Sequence, residues 1–266
     1  DGTNGTELWK SDGTTAGTMM VKDIRSGSSS SPSYLTAVGS TLYFRANDGT
    51  NGTELWKSDG STAGTVMVKD IYSGASGSYP AFLTAIGSTL YFQANDGTNG
   101  YELWKSDGTT AGTVMVKDIY SGASSSSPSY LTAVGSTLYF QANDGTNGYE
   151  LWKSDGTTAG TVMVKDIYSG SGHGNPSYLT AVGSTLYFQA NDGTNGSELW
   201  KSDGTTAGTV MVKDIYSGSG HGNPSYLTAV GSTLYFQAND GTNGSELWKS
   251  DGTTAGTVMV KDIYSG

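Results

Sequence analysis

The chain has 266 residues, of which 40 are glycine and none is cysteine, and its formal net charge is −10. The lack of cysteine excludes disulfide frameworks, thiolate metal sites and cysteine nucleophiles. The acidic surface argues against nucleic acid and anionic membranes as partners, because their phosphates carry the same charge. No apolar run approaches the roughly 20 residues of a membrane span, so we expect no membrane insertion.

One seven-residue motif, Glu-Leu-Trp-Lys-Ser-Asp-Gly, is repeated along the chain. Its six copies begin at Glu7, Glu54, Glu102, Glu150, Glu198 and Glu246. The spacing is 47 residues once and 48 residues four times, which predicts a modular array. The predicted organisation is a single repeat array over 1–266, made of the half unit 1–27 and the full units 28–74, 75–122, 123–170, 171–218 and 219–266.

The unit 28–74 shows four segments rich in β-branched and aromatic residues, which favour strands. The predicted strands are a (32–38), b (41–47), c (54–58) and d (65–71). Glycine, asparagine and aspartate between them are typical of tight turns. The Ser/Gly-rich stretch 72–79 is predicted to link one unit to the next.

The strands are apolar on both faces. Strand b places Leu42, Phe44 and Ala46 on one face and Tyr43 on the other, so its sheet must be covered on both sides. Antiparallel four-stranded sheets packed between copies of themselves are typical of a β-propeller. We therefore predict an all-β fold, a β-propeller with five complete blades and an unpaired two-stranded half-blade. The alternative is an open β-solenoid or superhelical array.

The two ends of the chain do not match. The chain begins just before a strand c and stops just after a strand d. Three interpretations remain open: an excerpt of a longer array, five blades with a spare hairpin, or a hairpin that forms the outer half of a sixth blade. The first is favoured, because neither end resembles the capping unit that repeat arrays need.

The repeat resembles a known family. The segment Glu102-Leu-Trp-Lys-Ser-Asp-Gly-Thr-Thr-Ala-Gly-Thr113, followed by Val116-Lys-Asp-Ile119, resembles the ELWxxDGT repeat family, and the Leu138-Tyr-Phe140 strand type belongs to the same pattern. The resemblance covers essentially the whole chain. It implies a propeller-like array in a secreted or surface-anchored bacterial protein, and it implies little about activity.

The charged residues repeat with the unit. Each unit supplies four acids, such as Asp48, Glu54, Asp59 and Asp70, and two lysines; only Arg25 and Arg45 fall outside the pattern. An asymmetric active site needs acids that differ from place to place, so we predict no catalytic residues and no enzyme activity. The first hypothesis is an extracellular or cell-surface scaffold or adhesion protein that self-associates, as part of a longer surface array or fibre, or binds surface proteins or glycans.

The second hypothesis is a multivalent lectin-like propeller with equivalent pockets between blades. Its predicted ligand-binding residues are the Asp and Asn of each b–c turn, joined by neighbouring tyrosines such as Tyr43. These turn residues are Asp48, Asn51, Asp96, Asn99, Asp144, Asn147, Asp192, Asn195, Asp240 and Asn243.

The same turn offers oxygen ligands of the kind that calcium prefers, namely Asp48, Asn51 and Glu54 with their copies. One aspartate per turn is fewer than established calcium loops have, and turn-capping explains the same residues without a metal. We predict no cofactor, with calcium as the alternative to test.

Three residue types of the motif are predicted to be structural. Trp56 lies within a strand, so we expect it to anchor neighbouring sheets rather than to stack on sugars. Glu54 and Lys57 are expected to bind neighbouring strands or blades. His173 and His221 lie in glycine-rich links and are expected to be exposed loop residues.

Four asparagines satisfy the N-glycosylation pattern Asn-X-Ser/Thr. They are Asn4, Asn51, Asn195 and Asn243, whereas Asn99 and Asn147 are followed two residues later by tyrosine. Loss of the pattern from two of six copies indicates that sugar is not needed for the fold.

Overall fold

The computed structural model describes residues 1–263, and in that range the chain is all-β, with 22 strands and no helix. The predicted all-β class is therefore confirmed. Sheet 1 is a hairpin of β1 (Leu8–Lys10) and β2 (Met19–Lys22). None of the described residues forms a helix long and apolar enough to cross a membrane.

Five four-stranded sheets follow. Sheet 2 contains β3 (Ser33–Val38), β4 (Thr41–Asn47), β5 (Thr53–Ser58) and β6 (Val66–Lys69); sheet 3 contains β7 (Ala81–Ile86), β8 (Thr89–Asn95), β9 (Tyr101–Ser106) and β10 (Val114–Lys117). Sheet 4 contains β11 (Ser129–Val134), β12 (Thr137–Asn143), β13 (Tyr149–Ser154) and β14 (Val162–Lys165). Sheet 5 contains β15 (Ser177–Val182), β16 (Thr185–Asn191), β17 (Ser197–Ser202) and β18 (Val210–Lys213). Sheet 6 contains β19 (Ser225–Val230), β20 (Thr233–Asn239), β21 (Ser245–Ser250) and β22 (Val258–Lys261).

Each four-stranded sheet is an antiparallel meander in which the strands pair in chain order, as the turns predict. Strand b has the predicted bounds. Strand d ends at Lys69 rather than at residue 71, because the N–H of Ile71 bonds to the Glu54 side chain instead of a neighbouring strand. The first strand contains a bulge, where the register shifts between Ser33 and Thr36.

The chain divides into two compact units, Asp1–Ser127 and Pro128–Gly266. Unit 1 contains sheets 1, 2 and 3, and unit 2 contains sheets 4, 5 and 6. The boundary follows the Ser-rich link after β10, inside the predicted repeat 123–170.

The core of each unit lies between successive sheets. In unit 1, Phe44 and Trp56 of sheet 2 pack against Leu8 and Val21 of sheet 1. On the other side of sheet 2, Tyr43, together with Leu55, Val68 and Ile71, packs against Leu90, Phe92, Ala94 and Trp104 of sheet 3. Sheets 4 to 6 repeat this junction in unit 2. The expectation that strands b and c are buried on both faces is confirmed for sheets 2 to 5.

Candidate functional site

The glutamate of the repeated motif is buried and holds the link that leads to the next sheet. Glu54 has 0% exposure, and its carboxylate accepts hydrogen bonds from the backbone N–H groups of Ile71 at 3.0 Å and Ser78 at 2.8 Å. The Ser78 hydroxyl donates a third bond to it. The predicted structural role of Glu54 is therefore confirmed, and its contact lies 24 residues away along the chain.

Burial shifts the acidity of these carboxyl groups. Desolvation raises the pKa of Glu54 and raises the pKa values of Glu102, Glu150 and Glu198 to about 7, although the hydrogen bonds from the link oppose the shift. Such a pKa alone would suit a general acid or base, but these oxygen atoms accept bonds from the protein's own backbone, and all four side chains have 0% exposure.

The repeats differ in how the link reaches this glutamate. Gly174 stands where Ser126 stands in the preceding link, so only its N–H bonds to Glu150, at 2.7 Å. A β-carbon at Gly174 would lie only 2.5 Å from Glu150 Oε2, so a serine there could donate only after the carboxylate had shifted.

Both lysines of the repeat connect one sheet to the next. Lys57 donates to the carbonyl oxygen of Gly108 and Lys69 donates to that of Thr113, each at 2.8 Å. The Lys69 ammonium also lies 5.7 Å from the Trp104 ring centroid, within the range of a cation–π contact. The same bonds occur in unit 2 from Lys153, Lys165, Lys201 and Lys213. The predicted structural role of Lys57 is confirmed.

The motif tryptophans belong to these junctions. Five of the six, represented by Trp56, are only 5–6% exposed, whereas Trp9 in the two-stranded sheet 1 is 43% exposed. The prediction that Trp56 and its copies form the core rather than a sugar platform is confirmed for the four-stranded sheets.

The aspartate and asparagine of each b–c turn bond to one another. Asp48 Oδ1 accepts from the N–H groups of Thr50 and Asn51, both at 2.8 Å, and its Oδ2 accepts from Asn51 Nδ2 at 2.7 Å. Partial burial raises the pKa of Asp48, but these hydrogen bonds outweigh it and hold the pKa below its usual value. The arrangement recurs at Asp96–Asn99, Asp144–Asn147, Asp192–Asn195 and Asp240–Asn243. Turn-capping is therefore the observed role, and ligand binding by these residues stays a prediction.

Two groupings expected at this turn do not form. Tyr43 is 4% exposed, and a β-carbon at Gly108 would lie 2.3 Å from its hydroxyl, so the ring is held at the next sheet. Five residues of extended strand place it roughly 16 Å from Asp48, so the predicted pocket that combines them is wrong. Glu54 is engaged by the link rather than by Asp48 and Asn51. Over residues 1–263, no group of three or more His, Cys, Asp or Glu is arranged to hold a metal ion.

The four glycosylation candidates sit in these turns. The side-chain nitrogen that would carry the sugar donates to the turn aspartate, at 3.3 Å for Asn4 and 2.7 Å for Asn51, Asn195 and Asn243. Their occupancy stays a prediction.

The link histidines are exposed, as expected, and they also have a structural contact. His173 Nδ1 accepts from the N–H of Tyr149 at 3.0 Å, and His221 Nδ1 accepts in the same way from Ser197. The Ser125 hydroxyl occupies this position in the preceding link and accepts from Tyr101 at 3.0 Å. Histidine therefore replaces a serine acceptor.

The sequence did not indicate an exposed aromatic residue at the bulge of each first strand. Tyr34, Phe82, Tyr130, Tyr178 and Tyr226 are 38–74% exposed and have φ angles of 54–56°. Bulky residues rarely adopt positive φ, and such strain concentrates at functional positions. The rings of Tyr34 and Phe82 lie 6.5 Å apart, and those of Tyr178 and Tyr226 lie 6.2 Å apart. Unit 1 and unit 2 therefore each contain one pair of exposed aromatic side chains.

Comparisons with known proteins bear on the fold. No protein-family model matches the chain, and no curated protein matches it. Its fold is similar to that of a puromycin hydrolase, with 12% identity over 86% of this chain and 38% of the other and a TM-score of 0.53. A puromycin-hydrolyzing peptidase of Mycobacterium tuberculosis is similar at 13% identity over 88% of this chain, with a TM-score of 0.54.

This chain spans only 38% of the length of each of these two proteins. The computationally designed Ika8 protein aligns with 90% of this chain and 66% of its own at 18% identity and a TM-score of 0.49. At such identities the likeness concerns the fold alone. The repeated four-stranded antiparallel sheets are consistent with a β-propeller-like repeat fold.

Proposed function

We propose that this chain is a non-catalytic scaffold or adhesion module of the extracellular space or cell surface, built from ELWxxDGT-type repeats in a β-propeller or open array. The proposal is supported by the use of the repeat's charged groups: Glu54 fixes the link, and Lys57 and Lys69 join adjacent sheets. The motif thus encodes a junction that copies of the repeat can extend.

The exposed junction face of sheet 6 supports the proposal of a larger assembly. The face that forms the junction is buried in sheet 5, where Leu199 has 0% and Ile215 has 5% exposure. The equivalent residues of sheet 6, Leu247 and Ile263, are 41% and 71% exposed. This face fits a further copy of the repeat, so we propose head-to-tail self-association, which gives filaments unless the rotation closes.

Light scattering and electron microscopy test the assembly. The chain at about 100 μM is expected to form oligomers, and Leu247→Lys is expected to reduce them to monomers. Val258→Lys is the matched control, because the equivalent valines, such as Val210 at 39% exposure, are exposed at every junction. A monodisperse monomer under these conditions would contradict self-association.

A second candidate function is glycan binding along the exposed aromatic pairs, which offer flat apolar surfaces with polar edges. In a fluorescence titration with neutral oligosaccharides, Tyr178→Ala is expected to weaken binding by about tenfold. Tyr216→Ala serves as the control, since Tyr216 is 38% exposed but packs on the Gly241 turn. No binding at millimolar sugar would remove this candidate.

A further inference from the structure

The only two arginines of the chain depart from the repeat. Arg25 stands where the other repeats have tyrosine, at Tyr72, Tyr120, Tyr168, Tyr216 and Tyr264. Arg45 stands where they have glutamine, at Gln93, Gln141, Gln189 and Gln237. A third departure is Tyr79, at a position that is serine or asparagine in the other links. Although these residues lie 20 and 34 positions apart along the chain, all three line one cavity in unit 1.

Arg45 enters the cavity from strand β4 with its orientation fixed. Its Nε donates to the Ser33 hydroxyl at 2.9 Å, and its guanidinium carbon lies 4.4 Å from the Tyr34 ring centroid. In unit 2, the Ser129 hydroxyl donates to Gln141 Oε1 at 2.8 Å. The arginine therefore contacts the same serine as the glutamine does, but as the donor.

Arg25 reaches the cavity from the link. A β-carbon at Gly49 would lie 2.9 Å from Arg25 Nε. In the next repeat, a β-carbon at the equivalent Gly97 would lie 2.5 Å from the ring of Tyr72. The arginine side chain thus lies over the turn glycine on which tyrosine packs in the other repeats. This placement brings a second guanidinium to the cavity.

The cavity is shaped and charged for an anion. Its volume is about 420 Å³, and hydroxyl-bearing residues such as Ser29, Ser31 and Tyr79 line it together with Asn47. Both arginines are half-buried. In the described part of the chain, neither guanidinium forms an ion pair with a carboxylate, although the protein carries 24 acids. Two cationic side chains that line one cavity attract an oxyanion of opposite charge.

We propose that Arg25 and Arg45 form a single anion-binding site for the carboxylate or sulfate group of a small molecule. Guanidinium groups bind such planar or tetrahedral oxyanions through paired N–H bonds, and the cavity volume is that of a small-ligand site. Tyr79 lines the same cavity. The site is distinct from the repeated features and does not depend on self-association.

The other repeats show which residues can replace the two arginines without disturbing the fold. Arg25→Tyr and Arg45→Gln restore the residues of the other repeats, so they remove the charge and keep the packing. Isothermal titration with glucuronate, a sulfated monosaccharide, inorganic sulfate and neutral glucose is expected to show one site per chain for anions only. Each reversion is expected to weaken binding by at least about tenfold, and both together are expected to abolish it.

A gain-of-site variant tests the assignment independently of any loss of folding. Tyr168 packs on Gly193 as Arg25 lies over Gly49, and Gln189 corresponds to Arg45. Tyr168→Arg with Gln189→Arg is therefore expected to raise the stoichiometry from one to two. Binding of sulfate or glucuronate, or both, identifies the oxyanion source. No anion binding at about 10 mM, or binding unchanged in the double reversion, would overturn the proposal.

Discussion

The Nζ atom of Lys57 lies 2.8 Å from the carbonyl oxygen of Gly108, which belongs to the next sheet. Gly108 is buried and Lys57 is half-buried, so this charge-assisted bond is partly shielded from water. It recurs between Lys10 and Gly60 at the same length, but there the lysine is exposed. Sequence-identical lysines thus differ in solvent exposure.

Replacing this lysine by methionine is expected to weaken the junction. Lys57→Met keeps most of the apolar stem and loses the bond, which costs about 1–2 kcal/mol of unfolding free energy because the Gly108 oxygen is left buried without that donor. Lys10→Met is expected to cost less than about 1 kcal/mol, since water can replace an exposed ammonium. Urea unfolding of the two variants checks the difference, and equal losses would contradict it.

Removing the buried glutamate is expected to release the link. Glu54→Ala leaves the N–H groups of Ile71 and Ser78 without their acceptor, so we expect a loss of about 3–5 kcal/mol. Ser78→Ala removes a single donor and is expected to cost about 1 kcal/mol. Chemical denaturation measures both, and a Glu54→Ala loss no larger than that of Ser78→Ala would show that the carboxylate does not hold the link.

Much of the fold follows from local pattern. Strand b was predicted from Thr41 to Asn47 with its observed bounds, because its aromatic and β-branched run lies between a Gly-Ser turn and an Asp-Gly turn. The burial of Trp56 also followed from its place within a strand. The end of strand d did not, since it depends on a side chain 17 residues earlier that captures the Ile71 N–H.

The candidate sites followed less well from the sequence. The positive φ of Tyr34 arises at a bulge, and no residue type in this segment predicts a bulge. Arg25 and Arg45 stood out as departures from the repeat, but their meeting in one cavity requires the link to pack over the turn of the following sheet. Tyr43 was placed with Asp48 because both are near in sequence, whereas strand length separates them.

The buried glutamates predict a stability that falls as pH rises. Burial raises the pKa values of Glu102, Glu150 and Glu198 from 4.5 to about 7. The folded state therefore holds these protons more tightly than the unfolded state, so their stabilising contribution is complete below pH 4.5 and is lost as pH rises through 7. Asp48, whose pKa is lowered, acts in the opposite sense, and its contribution is lost only as pH falls below its ordinary value of 3.8.

Urea unfolding between about pH 5 and pH 8 checks this expectation. The free energy of unfolding should decrease across the interval, and the decrease should be smaller in Glu102→Ala, which removes one of the three groups. A free energy that increases from pH 5 to pH 7 would show that hydrogen bonds from the link outweigh burial.

Restoring the missing hydroxyl in the fourth link is expected to stabilise the protein. Gly174→Ser recreates the donor that Ser126 provides to Glu102, and Gly174 does not have the positive φ that disfavours side chains. The new β-carbon would lie 2.5 Å from Glu150 Oε2, so the gain requires this carboxylate to shift slightly. We expect a gain of about 1 kcal/mol in unfolding free energy, from the added hydrogen bond and a less flexible unfolded chain.

The opposite result is expected at a glycine of another kind. Gly204 has φ of 89°, and a β-carbon there would lie 2.3 Å from the Tyr139 hydroxyl, so Gly204→Ser should destabilise the fold by at least about 1 kcal/mol. Thermal unfolding of both variants at pH 7 separates the two effects. A lower melting temperature for Gly174→Ser would mean that the Glu150 carboxylate cannot take the position that Glu102 has beside Ser126. The glycine-containing links would then differ from the serine-containing links in backbone position as well as in side chain.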